Sequence, residues 1–218
     1  RAAVAVLALL VRDAPAAGAP PHAGSVLRRD GLSPGFRRYL LLVGLFTLGN
    51  ASDAFLILRA VDAGVPVRYV PLLWGAFHVV KSSLSVPAGA LSDRIPRKWV
   101  VAAGWCVYAA CYAAFSFVSG AAATVAVFLV YGLYSAACEG AERAMVADFV
   151  PADRRGTAFG WFHLVTGICA LPASVLFGLL WNAYGAPAAF GVSAATESMT
   201  IRSTDPERTS ASAISRVT

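Results

Sequence analysis

The chain has 218 residues, 58% of them hydrophobic and 14% charged, with a formal net charge of +6. Soluble domains carry roughly 25% charged residues, so this chain has too few to coat a water-facing surface, and a membrane protein is expected. Its cations gather at the ends of apolar runs, without interleaved aromatics, which argues against nucleic acid and for the Lys/Arg excess of cytoplasmic loops.

Residues 2–11 form a first apolar run, too short to cross about 30 Å of hydrocarbon. The chain opens on Arg1, with no Met or basic region ahead of the run as a signal peptide requires. Residues 1–11 therefore read as the remnant of a transmembrane helix whose start is missing. Residues 12–38 read as a cytoplasmic linker, because Pro15, Pro20, Pro21 and the glycines at 31 and 35 cannot sustain a helix. Five runs then have the roughly 20 mostly apolar residues of a membrane span: 39–60, 70–91, 99–118, 121–144 and 156–181. The bundle is expected to occupy 39–191. Residues 192–218 turn polar and rich in Ser and Thr, and are expected to be a disordered tail.

Loop charge predicts orientation. Arg28, Arg29, Arg37 and Arg38 precede the first full span; Arg94, Arg97 and Lys98 follow two crossings later, and Arg154 and Arg155 two after that. The intervening turns hold Arg59 and Arg68, then no charge around Gly120. The cationic turns are therefore expected in the cytoplasm, and the tail outside.

Charged groups inside a bilayer usually face the protein interior or a water-filled cavity. The first span carries Thr47, Asn50 and Asp53 at helical spacing; the second His78, Lys81, Ser82 and Ser85; the fourth Tyr131, Ser135, Glu139 and Glu142; the fifth His163, Thr166 and Ser174. The third has no charge, only Trp105, Tyr108 and Tyr112 as polar-tipped aromatics, and is expected to face lipid. Hydroxyl positions are expected to serve packing. Asp53 and Lys81 are expected to serve function, with Asn50, His78 and His163 as further candidates for binding a substrate or coupling a proton. The cysteines at 106, 111, 138 and 169 lie inside apolar runs without metal or redox spacing, and read as small core fillers.

The turn between the second and third spans reads Gly89-Ala-Leu-Ser-Asp93-Arg94-Ile-Pro96-Arg97-Lys98. It resembles the Gly-x-Leu-x-Asp-Arg-x-Gly-Arg-Lys loop of the major facilitator superfamily of secondary transporters, with Pro96 in place of the usual Gly. Two spans later comes Asp148-Phe-Val-Pro151-Ala-Asp-Arg-Arg155-Gly156-Thr-Ala-Phe-Gly160. This turn is similar to the family's acidic-x-x-Pro-x-x-x-Arg-Gly-x-x-x-Gly loop. Two such loops at this interval are more specific than either alone. The resemblance implies an all-α membrane protein, half of a twelve-helix fold, in which the third helix of each half is peripheral. The leading run, the basic linker and Pro96 favour the C-terminal half, with the N-terminal half missing.

Gly89, Asp93, Arg94, Arg97 and Lys98 then read as a cytoplasmic gating latch. Glu139, Glu142, Arg143, Asp148, Arg155 and Gly156 read as a charge network beside it. Glu139 and Arg143 have i,i+4 spacing, which leaves Glu142 for another partner, with Arg97 the candidate. Gly156 and Gly160 are expected to permit close helix contact. The function expected is that of a transporter fragment in the plasma (inner) membrane, moving a small solute, with a proton as candidate coupling ion, by alternating access. A non-transporting relic or scaffold is the alternative. No cofactor or metal is expected. The histidines at 22, 78 and 163 have no ligand spacing, and neither His-Glu-x-x-His nor Gly-x-Ser-x-Gly occurs, so no enzyme is expected.

Overall fold

A computed structural model describes residues 33–203. The helix remnant at 1–11, the linker up to 32 and the tail beyond 203 lie outside the described residues. Regular structure among the described residues is helical: α1 (Pro34–Gly49), α2 (Ala54–Asp62), α3 (Val70–Arg94), α4 (Arg97–Phe117), α5 (Ala121–Asp148), α6 (Arg155–Tyr184) and α7 (Ala186–Ser203). Short 3-10 turns, Val67–Tyr69 and Ala152–Arg154, precede α3 and α6.

Local chemistry sets the boundaries. Ser33 caps α1 by accepting the Phe36 N–H at 3.2 Å, and Pro34 occupies the first turn, where a missing N–H costs nothing. The helix thus starts five residues earlier than expected, and Arg37 and Arg38 belong to it. Pro96 ends α3 by holding Ile95 extended, at φ −115° and ψ 144°. Gly120 and Gly185 bound α5 and α6 with φ of +86° and +83°, a conformation that favours glycine.

The expected continuous helix over 39–60 is broken at residues 50–53. The side chains of Asn50, Ser52 and Asp53 compete for local backbone groups, and Ser52 Oγ accepts the Ala54 N–H at 3.3 Å. Irregular backbone at membrane depth persists only where protein or a cavity satisfies it. Here α4 does so: Tyr108 donates to Asn50 Oδ1 at 3.1 Å, and Tyr112 donates to the Ala51 carbonyl at 3.5 Å.

Among the described residues, four stretches are long and apolar enough to cross a membrane: Pro34–Asp62, Arg97–Phe117, Ala121–Asp148 and Ala152–Tyr184. The second expected span, now α3, is long enough at 25 residues but falls short in hydropathy, because His78, Lys81 and three serines interrupt it. α3 packs along α5, α5 along α4, α4 along α7, and α7 along α6 and α1; α1 lies on α6.

The third expected span is not wholly lipid-facing: one side is packed in protein, while Ala103, Cys106 and Ala110 keep another side exposed. α4 buries Val101, Trp105, Tyr108, Tyr112 and Phe115 on one face, against α5 and α7. The sequence reading took a missing charge for a missing protein neighbour, yet aromatic packing needs no charge. Phe46 stacks on Trp105 with ring centres 4.4 Å apart, and Tyr108 on Tyr112 at 4.1 Å. Dispersion of this kind, rather than water exclusion, holds helices together in lipid. At Gly104 and Gly132 a methyl group would meet Cys138 Sγ at 2.1 Å and Val80 at 3.1 Å, so α5 lies close to α4 and α3 there. Gly156 and Gly160 have open space around them, contrary to the close packing expected of them.

Residues 192–203 are not disordered; they complete α7. Ala186, Ala189, Phe190, Ser193, Ala194, Glu197 and Thr200 are buried at helical spacing. The polar composition of this stretch had hidden that periodicity. Ser193 Oγ donates to the Gly49 carbonyl at the end of α1. Glu197 is fully buried, and neither carboxylate oxygen has a partner among the described residues.

The turns gather at two opposite ends. At one, Phe36 packs on Phe149 with ring centres 5.9 Å apart, and Arg97 bonds to Asp148 at 2.6 Å. At the other, Arg59 donates to the carbonyls of Phe115 and Val118, and Ser116 to that of Pro187 at 2.5 Å. The basic turns before α4 and before α6 therefore share one end.

Candidate functional site

The end that gathers the basic turns is tied by Arg97. Its guanidinium donates to Asp148 Oδ2 at 2.6 Å, to the Ala144 carbonyl at 3.2 Å and to Asp93 Oδ1 at 3.3 Å. One side chain at the start of α4 thus holds the C-terminal ends of both α3 and α5, where a cation also suits the helix dipoles. The fork geometry of a guanidinium permits contacts to two carboxylates at once. The Asp93 and Asp148 side chains remain 71% and 60% exposed, so water weakens these bonds. Arg94 and Lys98 are exposed, with the Lys98 ammonium 5.4 Å from the Trp99 ring centre. Gly89 has open space around it. Arg155 and Gly156, at the start of α6, are exposed.

Arg97 is not the partner of Glu142. Glu142 Oε1 accepts the Trp105 indole N–H at 2.9 Å, about two turns further into the bundle. Arg97, at the helix start, lies beside Asp148, the last residue of α5, instead. Tyr39 donates to the Glu142 backbone carbonyl at 3.1 Å, which joins α1 to the same turn of α5.

Further in, Lys81 pairs with Glu139 across the α3–α5 contact. Arg143 reaches Glu139 from the next turn at 3.9 Å, as the i,i+4 spacing allows. Glu139, Glu142, Arg143, Asn50, Thr47 and His163 line one cleft of about 370 Å³ between α1, α5 and α6. Val43, Phe46, Tyr134 and Phe162 supply its apolar surface.

Asp53 lies at the break between α1 and α2. Its Oδ1 accepts the Tyr131 hydroxyl at 2.8 Å. It lines a neighbouring pocket with Thr47, Asn50, Ser52, Gly167 and Ser174. Thr47, Asn50 and Gly167 line both spaces, so polar groups run along the α1–α6 groove from the helix break to Glu142.

The candidates do not all converge. Asn50, Glu139, Glu142, Arg143 and His163 come together in the cleft, with Lys81 behind Glu139 and Asp53 beside it. His78 does not line the cleft; it is exposed on α3 against the rings of Trp74 and Phe77, whose centres lie 5.0 and 5.2 Å away, and is within electrostatic reach of Asp53. Tyr108, Tyr112 and Trp105 are the groups the sequence reading undervalued. Their stripe along residues 105–112 of α4 was visible as a face of hydrogen-bonding aromatics. No cluster of three metal-binding side chains occurs among the described residues.

Apolar spanning helices around a polar, partly charged cleft define a membrane-embedded helical bundle. The chain belongs to the Major Facilitator Superfamily, whose family model matches residues 39–197. It is also 34% identical over 150 residues to an uncharacterized MFS-type transporter of Methanocaldococcus jannaschii. That match takes in 66% of this chain and 38% of the relative, so the chain spans well under half of that protein's length. Membership places the chain in a family of membrane transporters rather than of enzymes.

Proposed function

We propose that this chain forms one side of a secondary transporter that moves a small solute by alternating access, and that it corresponds to the C-terminal half of the fold. The observation that carries this reading is the groove between α1 and α6, which runs from the broken helix at Asp53 to Glu142 and is lined by polar side chains in an otherwise apolar bundle. Broken helices that line a cavity are a recurring way to build a solute site at membrane depth. The N-terminal half would supply the facing wall. In this reading the Arg97 contacts to Asp93 and Asp148 close the cytoplasmic end in one state and part in the other. Asp53 and Lys81 take part in substrate binding or proton coupling, and the membrane is the plasma (inner) membrane with the basic turns in the cytoplasm.

The test is Asp53→Asn in a full-length transporter carrying this segment, with solute-driven proton movement measured in proteoliposomes. Loss of coupling with the protein still inserted is expected; unchanged coupling removes Asp53 from the mechanism. A second reading, a non-transporting piece, draws on Glu197. A buried carboxylate with no partner among the described residues is costly.

A further inference from the structure

The charges around the cleft are unevenly paired. Glu139 takes the Lys81 ammonium directly and Arg143 at 3.9 Å. Glu142 lines the same cleft, yet among the described residues its carboxylate has only the neutral Trp105 N–H as a partner. Arg143 keeps 61% of its side chain exposed and, among the described residues, reaches no acid closer than the 3.9 Å contact to Glu139. Glu142 and Arg143 are consecutive on α5, and adjacent helical residues do not face each other. They therefore present opposite charges side by side without cancelling in a mutual pair.

Lys81, Arg143, Glu139 and Glu142 sum to zero charge. Interactions between charges strengthen as the surroundings lose water. A ligand of net charge would leave this cluster unbalanced; a neutral one would not, and only one carrying both signs could pair with Glu142 and Arg143 together. Phe46, Tyr134 and Phe162 give the wall an aromatic part, beside the polar Thr47, Asn50 and His163. The volume of about 370 Å³ is at the small end of the roughly 300 to 1,000 Å³ of ligand sites.

The geometry points to a site for a small zwitterion with an apolar or aromatic body, its ammonium group against Glu142 and its carboxylate against Arg143. This deepens the transport reading and rests on it for the passage of the ligand, whereas binding itself requires no transport.

The experiment uses the full chain in lipid nanodiscs and three probes of one shape: phenylalanine, phenethylamine and 3-phenylpropionate. Equilibrium dialysis is expected to show saturable phenylalanine binding, with each single-charge analogue about tenfold weaker or worse. Arg143→Gln should bring phenylalanine down to the level of phenethylamine and leave phenethylamine unchanged. Glu142→Gln should do the same relative to 3-phenylpropionate. Arg143 is exposed, so its variant folds and decides the matter even if Glu142→Gln does not insert. Equal affinity for all three probes, no saturable binding, or undiminished discrimination in Arg143→Gln would overturn the proposal. Phenylalanine binding by this chain beside a full-length transporter that moves no solute would remove the transport reading and keep the site. Solute movement without zwitterion binding would do the reverse.

Discussion

Removing the Lys81 ammonium tests whether the α3–α5 contact is held by charge. The pair joins two helices, and the side chains of Lys81 and Glu139 retain 24% and 45% exposure. Exposed ion pairs contribute about 0 to 1 kcal/mol, and stripping one partner from a buried pair costs about 3 to 5 kcal/mol. The intermediate exposure places Lys81→Met at about 2 kcal/mol, because Glu139 would then keep only Arg143, 3.9 Å away. Glu139→Gln should cost about the same. The double variant should lose less than the sum by about 1.5 kcal/mol, because the second change removes a charge already unpaired. The assay is unfolding of the full chain in mixed micelles by increasing sodium dodecyl sulfate, followed by tryptophan fluorescence. Single changes that add to within about 0.5 kcal/mol would show that the pair contributes no coupling and refute the reasoning.

Two further outcomes follow from α4. Gly104→Ala places a methyl group 2.1 Å from Cys138 Sγ and should destabilise the chain by about 1 to 3 kcal/mol in the same unfolding assay, with Cys138→Ala restoring most of the loss; an unchanged midpoint would mean that α4 and α5 are not in contact there. Arg59→Ala removes two bonds to the carbonyl end of α4, at 3.2 and 2.7 Å, and should cost about 1 to 2 kcal/mol. Hydrogen exchange by mass spectrometry should show faster exchange in the last turn of α4, with Arg59→Lys intermediate, and no change there would contradict the capping role.

Much of this architecture was legible in the chain. Apolar runs of spanning length mark helices wherever the backbone must satisfy itself in lipid, and Gly120, Pro96 and Gly185 punctuate them. What was missed depended on neighbours. The break at 50–53 needs Tyr108 and Tyr112 to hold it, and those tyrosines come from a helix some sixty residues away whose lack of charge reads as lipid-facing. The helix through 192–203 was hidden because composition outweighed spacing, although Ala186, Ala189, Phe190 and Ala194 mark a buried face. At the site, the polar stripe on α5 was readable from Tyr131 to Glu142, but its pairing was not. The assignment of Arg97 to Glu142 failed because helix register, not sequence spacing, decides which turn of α5 faces the start of α4.

The central claim is that antiparallel helices cross the membrane with the basic turns on one side. The most direct measurement is site-directed cysteine labelling by a membrane-impermeant maleimide, in the full chain with its four native cysteines replaced by alanine. Lys98→Cys and Asp153→Cys should label together in inverted vesicles, and Ala121→Cys and Tyr184→Cys together in right-side-out vesicles. Labelling of positions 98 and 153 from opposite faces would contradict the account.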